Sequence, residues 1–426
     1  MKRILVISHN VFCETSNMGK TLLSYFQKWD REALAQFYIH SEVPTNGVCT
    51  NYYQVTDRDV LKSIFTRRSG VVYKEQDIQY DREHSRTDTG LVSSIYQKGR
   101  KRTPLVYFLR NLLWQLGTWN TPKLRAWLES FKPEAIFFAS GDYAFMYKIA
   151  RKIAEIQKIP LYVCCMDDFY LYNKNADRFG GKMTHRSFMK QVRKTLSGAA
   201  GIFTICEKMK DDYFKIFGVP CYTLHTASSF EGPLFCEKKE NVISYIGNLG
   251  YDRDKQLIVL GKTLKSLNIN NIPHAIDVYS QEKRPEILEQ MTLENGIRYH
   301  GPINSERVKE VMAKSRFLIH TESFADNMRH SVMYSVSTKI ADSLASGTCI
   351  IAYGPKEVAS MAYLAENNAA FCITDDDDIV ECFKEMFFDL EKQDAVSKRA
   401  LALAKRNHSR EKADSVIQEI ICNANT

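Results

Sequence analysis

SVSTKIADSLASGTCIIAY, residues 335–353, is the stretch that decides the fold. It opens on small and β-branched polar residues and a lysine, then sets Ile340, Leu344 and Ala345 at helical spacing and stops at Gly347. The apolar run Cys349-Ile350-Ile351-Ala352-Tyr353 follows at once. A helix, a glycine stop and a buried strand in succession make half of a parallel-sheet unit. The first turn of that helix carries a second signal. A helix N-terminus has unpaired N–H groups and a partial positive charge, so it attracts anions. Ser337 or Thr338 can cap it and donate to a phosphate, and Lys339 adds a full charge. Plain capping accounts for Ser and Thr equally well.

The same alternation runs outward from this stretch. Upstream, RILVIS (Arg3–Ser8), EAIFFAS (Glu134–Ser140), PLYVCCM (Pro160–Met166) and GIFTIC (Gly201–Cys206) are short apolar strands separated by helical patterns. The polar segment Glu231–Glu240 interrupts them and reads as a linker. A second series begins with VISYIGNLG (Val242–Gly250) and continues through AIDVYS, IRYHG, RFLIHT, TCIIAYG and AAFCIT. The expectation is an α/β protein of two Rossmann-like parallel-sheet domains facing a central cleft. They span 1–230 and 241–405, with a C-terminal helix over 406–426 that can pack back on the first domain. Asp57 to Lys98 is polar and shows no clear strand.

A length of 426 residues with 44% hydrophobic content is enough for two cores. The net charge of +8 falls short of a typical nucleic-acid binder and suits an anionic membrane surface or phosphorylated ligands. The 11 cysteines are scattered without a CxxC pair, which reads as reduced cytosolic thiols and argues against a zinc site. The apolar run after Met1-Lys2-Arg3 is too short for a signal peptide, and no run is long enough to span a membrane. The chain therefore reads as cytoplasmic, with room for a peripheral place on the inner face of the membrane.

Open parallel sheets bind ligands at the carboxyl ends of their strands. YIGNLGYDR places Gly247 and Gly250 directly after a strand, with Arg253 and Lys255 beyond. A glycine turn lets a ligand approach the backbone, and the cations then meet it. With Lys339, this makes two cationic elements at one sheet edge and points to a diphosphate.

These residues resemble a GT-B fold glycosyltransferase, similar to the retaining, family-four-like enzymes that build bacterial surface polysaccharides. The resemblance is strongest over Val242–Ile373 and Lys132–Asp168. The family has a glycine–basic–leucine turn and a lysine four positions later. Gly247-Asn248-Leu249 and Arg253 stand there, with Asn248 a departure. The family's ribose-binding acid falls at Asp342, preceded by Thr338-Lys339. Its other glutamate falls at Tyr334, so the paired-glutamate motif is incomplete. The glycine loop after the first strand is represented by Asn17-Met18-Gly19-Lys20. The resemblance implies donor contacts from Gly19, Gly247, Asn248, Arg253, Ser337, Thr338, Lys339 and Asp342. It also implies catalytic acids among Asp142, Asp168 and Glu322, although Glu322 does not match by spacing. Arg253, Lys339 and helix N-termini can neutralise a leaving diphosphate, so no cofactor and no obligatory Mg²⁺ are expected. The implied partners are a UDP- or GDP-sugar donor and a glycan or lipid-linked acceptor.

Other classes fit less well. A Rossmann oxidoreductase needs GxGxxG after its first strand, which ISHNVFCETSNMG lacks. A catalytically silent nucleotide-sugar or glycan-binding subunit remains open because of Tyr334 and Asn248. Asp375–Asp378 reads as negative charge at a helix start rather than a metal site. His9, His225, His320 and His330 lack metal-ligand spacing, and Cys164-Cys165 reads as core packing. Trp114, Trp119 and Trp127 lie beside Lys98, Arg100, Lys101 and Arg102. That segment reads either as an amphipathic helix packed on the first domain or as a membrane surface with Trp at headgroup level.

Overall fold

The computed structural model describes residues 1–14, 16–80, 104–171, 182–237, 239–267, 269, 272–374 and 377–423. The chain divides into two compact units. The first holds Met1–His225 and the C-terminal stretch from Ala413, and the second holds Thr226–Lys412.

In the first unit, strands β1 (Ile4–Ser8), β2 (Leu34–Tyr38), β3 (Asn51–Gln54) and β4 (Val71–Lys74) flank one side of the chain reversal. Strands β5 (Ala135–Ala139), β6 (Leu161–Cys165), β7 (Gly201–Thr204) and β8 (Cys221–Thr223) extend the other side. The sheet order is β4-β3-β2-β1-β5-β6-β7-β8, parallel throughout except that β4 runs antiparallel to β3. Burial on both faces explains why β1, β5 and β6 read as unbroken apolar runs. Ala413, Ile417 and Ile421 complete this unit's core, and Lys2 Nζ donates to the Ile421 carbonyl at 2.9 Å.

The second unit carries β9 (Ile243–Ile246), β10 (Ile276–Tyr279), β11 (Ile297–Gly301), β12 (Phe317–Thr321), β13 (Cys349–Tyr353) and β14 (Phe371–Ile373). Their order is β11-β10-β9-β12-β13-β14, all parallel. This is the doubly wound dinucleotide-fold order, and the chain reverses direction between β9 and β12. Both sheets thus have a switch point, at β9/β12 and at β1/β5.

One expectation needs correction. Asp57–Lys98 is not free of strands, because it holds the helix Asp57–Thr66 and strand β4, while residues 81–98 lie outside the described residues. The helix is started by Thr56, whose hydroxyl accepts from Asp59 N while Asp59 accepts from Thr56 N. It buries only Val60 and Ser63, too few positions to show a period. Of the two readings of the tryptophan-rich segment, packing on the first domain accounts for two of its three tryptophans. Trp114 and Trp127 are buried, and each indole N–H donates at 2.7 Å, to Asp57 and Asn51 respectively. These two side chains hold the fold. Trp119 is half-buried, and Lys98, Arg100, Lys101 and Arg102 lie outside the described residues.

The segment Glu231–Glu240, apart from residue 238, packs along the second unit. Leu234 N donates to Ser346 O at 3.1 Å, and a Cβ on Gly232 would fall 1.6 Å from Ala345 O. Asp378 caps the helix Ile379–Phe388 by accepting from Val380 N and Glu381 N; residues 375 and 376 lie outside the described residues. Among the described residues no helix is long and apolar enough to cross a membrane.

Candidate functional site

The second unit's switch point is built from three chain segments. After β9 the chain turns through Gly247–Gly250 into the helix Arg253–Leu267. Asn248 makes the turn: its side-chain oxygen accepts from Gly250 N at 2.6 Å and its carbonyl accepts from Tyr245 OH at 2.7 Å. Gly247 is required by packing, since a Cβ there would lie 2.6 Å from that same hydroxyl. Tyr251 and Asp252 both take left-handed backbone, with φ of 60° and 57°. A turn bent this sharply delivers Arg253 to the strand ends.

The second segment follows β12. Glu322 is fully buried, and its carboxylate takes three bonds from the Arg253 guanidinium at 2.9–3.1 Å. Arg253 Nε also donates to the Thr321 carbonyl at 3.2 Å. Burial holds the Glu322 pKa above the usual carboxylate range, and the adjacent guanidinium opposes that shift in part. Desolvation is the largest single influence on Arg253 and lowers its pKa, but the Glu322 charge and hydrogen bonds together with Tyr245 and Tyr251 raise it above the ordinary value. The forked contacts fit an ionised pair. His320 bonds through Nε2 to Ser360 Oγ at 2.9 Å. Desolvation, then the charges of Arg253 and Lys339, push its pKa down to about 3, so the ring is neutral at physiological pH.

The third segment is the helix Thr338–Ser346. Ser337 caps it by accepting from Lys339 N at 3.3 Å, and Gly347 ends it in left-handed backbone with φ 74°. Ile340, Leu344 and Ala345 bury its inner face, which fixes where the first turn points. The Lys339 side chain reaches solvent but is crowded by protein atoms. That loss of hydration, then repulsion from Arg253, lowers its pKa to about 8, while Asp342 opposes the shift. Solvent at the ammonium softens the desolvation.

Asn248, Arg253, His320, Glu322, Ser337 and Lys339 share the walls of a cavity of 50 Å³. The sheet edge thus collects the Arg253–Glu322 ion pair, the Lys339 ammonium, a helix N-terminus and a neutral imidazole around one opening. Its chemistry suits a doubly charged anion with a polar substituent.

Asp342 lies on the same helix, but its Oδ1 accepts from Ser228 Oγ, Ser229 N and Ser229 Oγ at 2.7–3.0 Å. It fastens the segment that opens the unit. Tyr334 is buried in the core, and Thr338 is exposed at the first helical position.

The remaining candidates sit in the first unit. Gly19 lies in the helix Asn17–Phe26, where a Cβ would come within 2.4 Å of Cys13 Sγ. Asp142 is buried just beyond β5, and its carbonyl accepts from Tyr107 OH. Asp168 accepts from Tyr170 N and Leu171 N at 2.9 Å and from Tyr213 OH at 2.7 Å, so it shapes the loop after β6.

The β1/β5 switch point brings together His9, which the sequence marked as a structural or ring-contact residue, and Arg110, which it did not single out. His9 stacks on Tyr143 at 5.6 Å, and the Arg110 guanidinium lies 4.1 Å above the same ring. Arg110 pairs with Asp57 at 3.0 Å. Desolvation, then Arg110 and His40, lower the His9 pKa to about 3. His9 stands directly after the first strand, the position that marked it in the sequence, and it makes the ring contact expected there. Arg110 sits 101 residues away in the chain and carried no such signal.

No family model matches the chain, and no curated protein matches it. Solved structures do match. HepE of Anabaena in complex with UDP and glucose aligns with a TM-score of 0.61 at 10% identity, over 99% of this chain and 100% of that one. The E. coli trehalose-6-phosphate protein bound with UDP-2-fluoro glucose aligns with a TM-score of 0.60 at 10% identity, over 99% of each chain. TarM aligns with a TM-score of 0.59 at 11% identity, again over 99% of each chain. Identity at this level speaks for architecture alone. The chain has the GT-B fold, with two Rossmann-like units whose strand orders each reverse at a central switch point.

Proposed function

We propose that the chain is a glycosyltransferase that moves a sugar from a nucleoside-diphosphate sugar, UDP- or GDP-linked, to a glycan or lipid-linked acceptor. The carrying observation is the convergence of Arg253, Lys339 and the capped helix N-terminus on one cavity at the β9/β12 switch point. When the bond from the anomeric carbon to the diphosphate breaks, the electron pair leaves with the diphosphate. The two cations and the helix N-terminus stabilise that charge, and no metal is needed for it in this reading. Glu322 holds Arg253 in place, and Asp142 is the acid nearest the carboxyl end of β5. The neighbours bound to UDP or a UDP-sugar analogue support a uridine nucleotide. We place the reaction in cell-surface polysaccharide synthesis, with retention, at the inner face of the cell membrane.

A silent nucleotide-sugar-binding subunit is the second reading. Its support is Asp342, whose oxygen is taken up by Ser228 and Ser229. Incubating the full chain with UDP- and GDP-sugars and measuring free nucleoside diphosphate separates the two. The transferase reading expects slow acceptor-free release that Lys339→Ala abolishes. Tight nucleotide binding without any release, with or without glycan acceptors, would favour the silent subunit. Neither binding nor release would overturn both.

A further inference from the structure

The helix Pro104–Leu116 is apolar on two sides. Tyr107, Asn111 and Trp114, at spacings of four and three, face inward and are under 9% exposed. Leu105, Phe108, Leu109, Leu112 and Leu116 form the opposite stripe and are 39–65% exposed. A surface helix normally turns polar residues outward, and five large apolar side chains on one exposed stripe call for a cover. The helix Asp57–Thr66, which packs beside it through the Arg110–Asp57 pair, adds exposed Leu61 and Phe65, the latter 87% exposed. Arg58, Lys62, Arg67 and Arg68 on and just after that helix are exposed as well.

The same Pro104–Leu116 helix forms one wall of a cavity of 370 Å³. Trp114 and Phe145 make its floor, stacked at 4.4 Å and 6°. Lys148, Arg151, Lys152 and Lys194 reach it from the helices Ala144–Gln157 and Lys182–Leu196. Arg151 is fixed there by the Gln191 carbonyl at 3.1 Å, by Gln191 Oε1 at 2.6 Å and by Thr195 Oγ1. The single lining carboxylate, Glu155, pairs with Lys152 at 3.4 Å. Four cations against one acid, on an aromatic floor, suit a phosphate group. A soluble phosphate would explain the cavity and leave the leucine stripe unexplained. A bilayer supplies both, with anionic headgroups beside an apolar layer.

We propose that the first unit docks on an anionic phospholipid bilayer, with the Leu105–Leu116 stripe in the interface and lipid phosphate in the Lys148–Arg151–Lys152–Lys194 cavity. This deepens the membrane placement proposed above and does not rest on the transfer chemistry, which UDP binding reports separately.

The test is co-sedimentation of the full chain with vesicles of phosphatidylcholine alone and with roughly a third phosphatidylglycerol. The chain should bind the anionic vesicles and leave the neutral ones. Two double variants change only exposed side chains, Lys148→Glu with Lys152→Glu and Leu109→Ser with Leu112→Ser. Each should weaken vesicle binding by about tenfold or more while UDP stabilisation stays unchanged. Equal binding to both vesicle types, no binding, or indifference to either variant overturns the proposal. So does loss of binding in the lysine variant alone together with competition by inorganic phosphate, which would make the cavity a soluble-phosphate site. A vesicle-independent dimer dispersed by the leucine substitutions would assign the stripe to a second copy of the chain and overturn it too.

Discussion

Arg253 and Glu322 form the central pair of the candidate donor site, and they are tied across the two strand ends where the sheet reverses. Removing one partner leaves the other charge buried. Arg253→Ala should therefore cost about 3–5 kcal/mol in unfolding experiments, more than a surface arginine would. It should also abolish nucleotide binding, so the stability loss must be measured without ligand. Lys339 gives a sharper test because it is exposed. Its pKa of about 8 in the free protein should rise when a diphosphate binds beside it. The protonated form favours the complex, so affinity is full below pH 8 and falls as the pH rises through that value. The fall should approach about tenfold per pH unit and vanish in Lys339→Ala, as read by titration of UDP between pH 7 and 10. Arg253 was legible as a cation after a strand and Lys339 as one at a helix start. Their pairing and crowding were not, because Glu322 meets Arg253 across 69 residues of chain.

At the scale of elements, the helix Thr338–Ser346 depends on its two ends. Ser337→Ala removes the cap and should lower stability by about 1 kcal/mol. Gly347→Ala forces a side chain into left-handed backbone and puts its Cβ 3.1 Å from Pro233, so a loss of about 1–2 kcal/mol is expected in chemical denaturation. The central strands of both sheets were readable because burial on two faces leaves uninterrupted apolar letters. Strands β3 and β4 were not, since Asn51–Gln54 and Val71–Lys74 mix polar with apolar residues in only four positions each. The Trp-rich segment left two readings open for a related reason. Trp114 and Trp127 look like interface anchors by type, yet they satisfy their N–H groups on Asp57 and Asn51 inside the unit. Asp342 shows the same limit, because nothing near it in the chain announces Ser228 and Ser229 as its partners.

For the whole molecule, the chain ends by returning to its first unit. Ala413, Ile417 and Ile421 are at most 2% exposed within a core that also contains β1 residues Ile4 and Val6. Ending the chain at Lys412 should destabilise the first unit by roughly 2–5 kcal/mol for each isoleucine lost. Calorimetry should then show one transition falling while the transition stabilised by UDP keeps its response. The central claim is that the β9/β12 edge binds a nucleoside diphosphate sugar. The most direct measurement is calorimetric titration of the full chain with UDP, GDP and their glucose conjugates, repeated on Lys339→Ala. Saturable binding of one nucleotide family, weakened at least about tenfold by that substitution, is the expected result. Absence of binding by all of them, or binding that Lys339→Ala leaves intact, would contradict it.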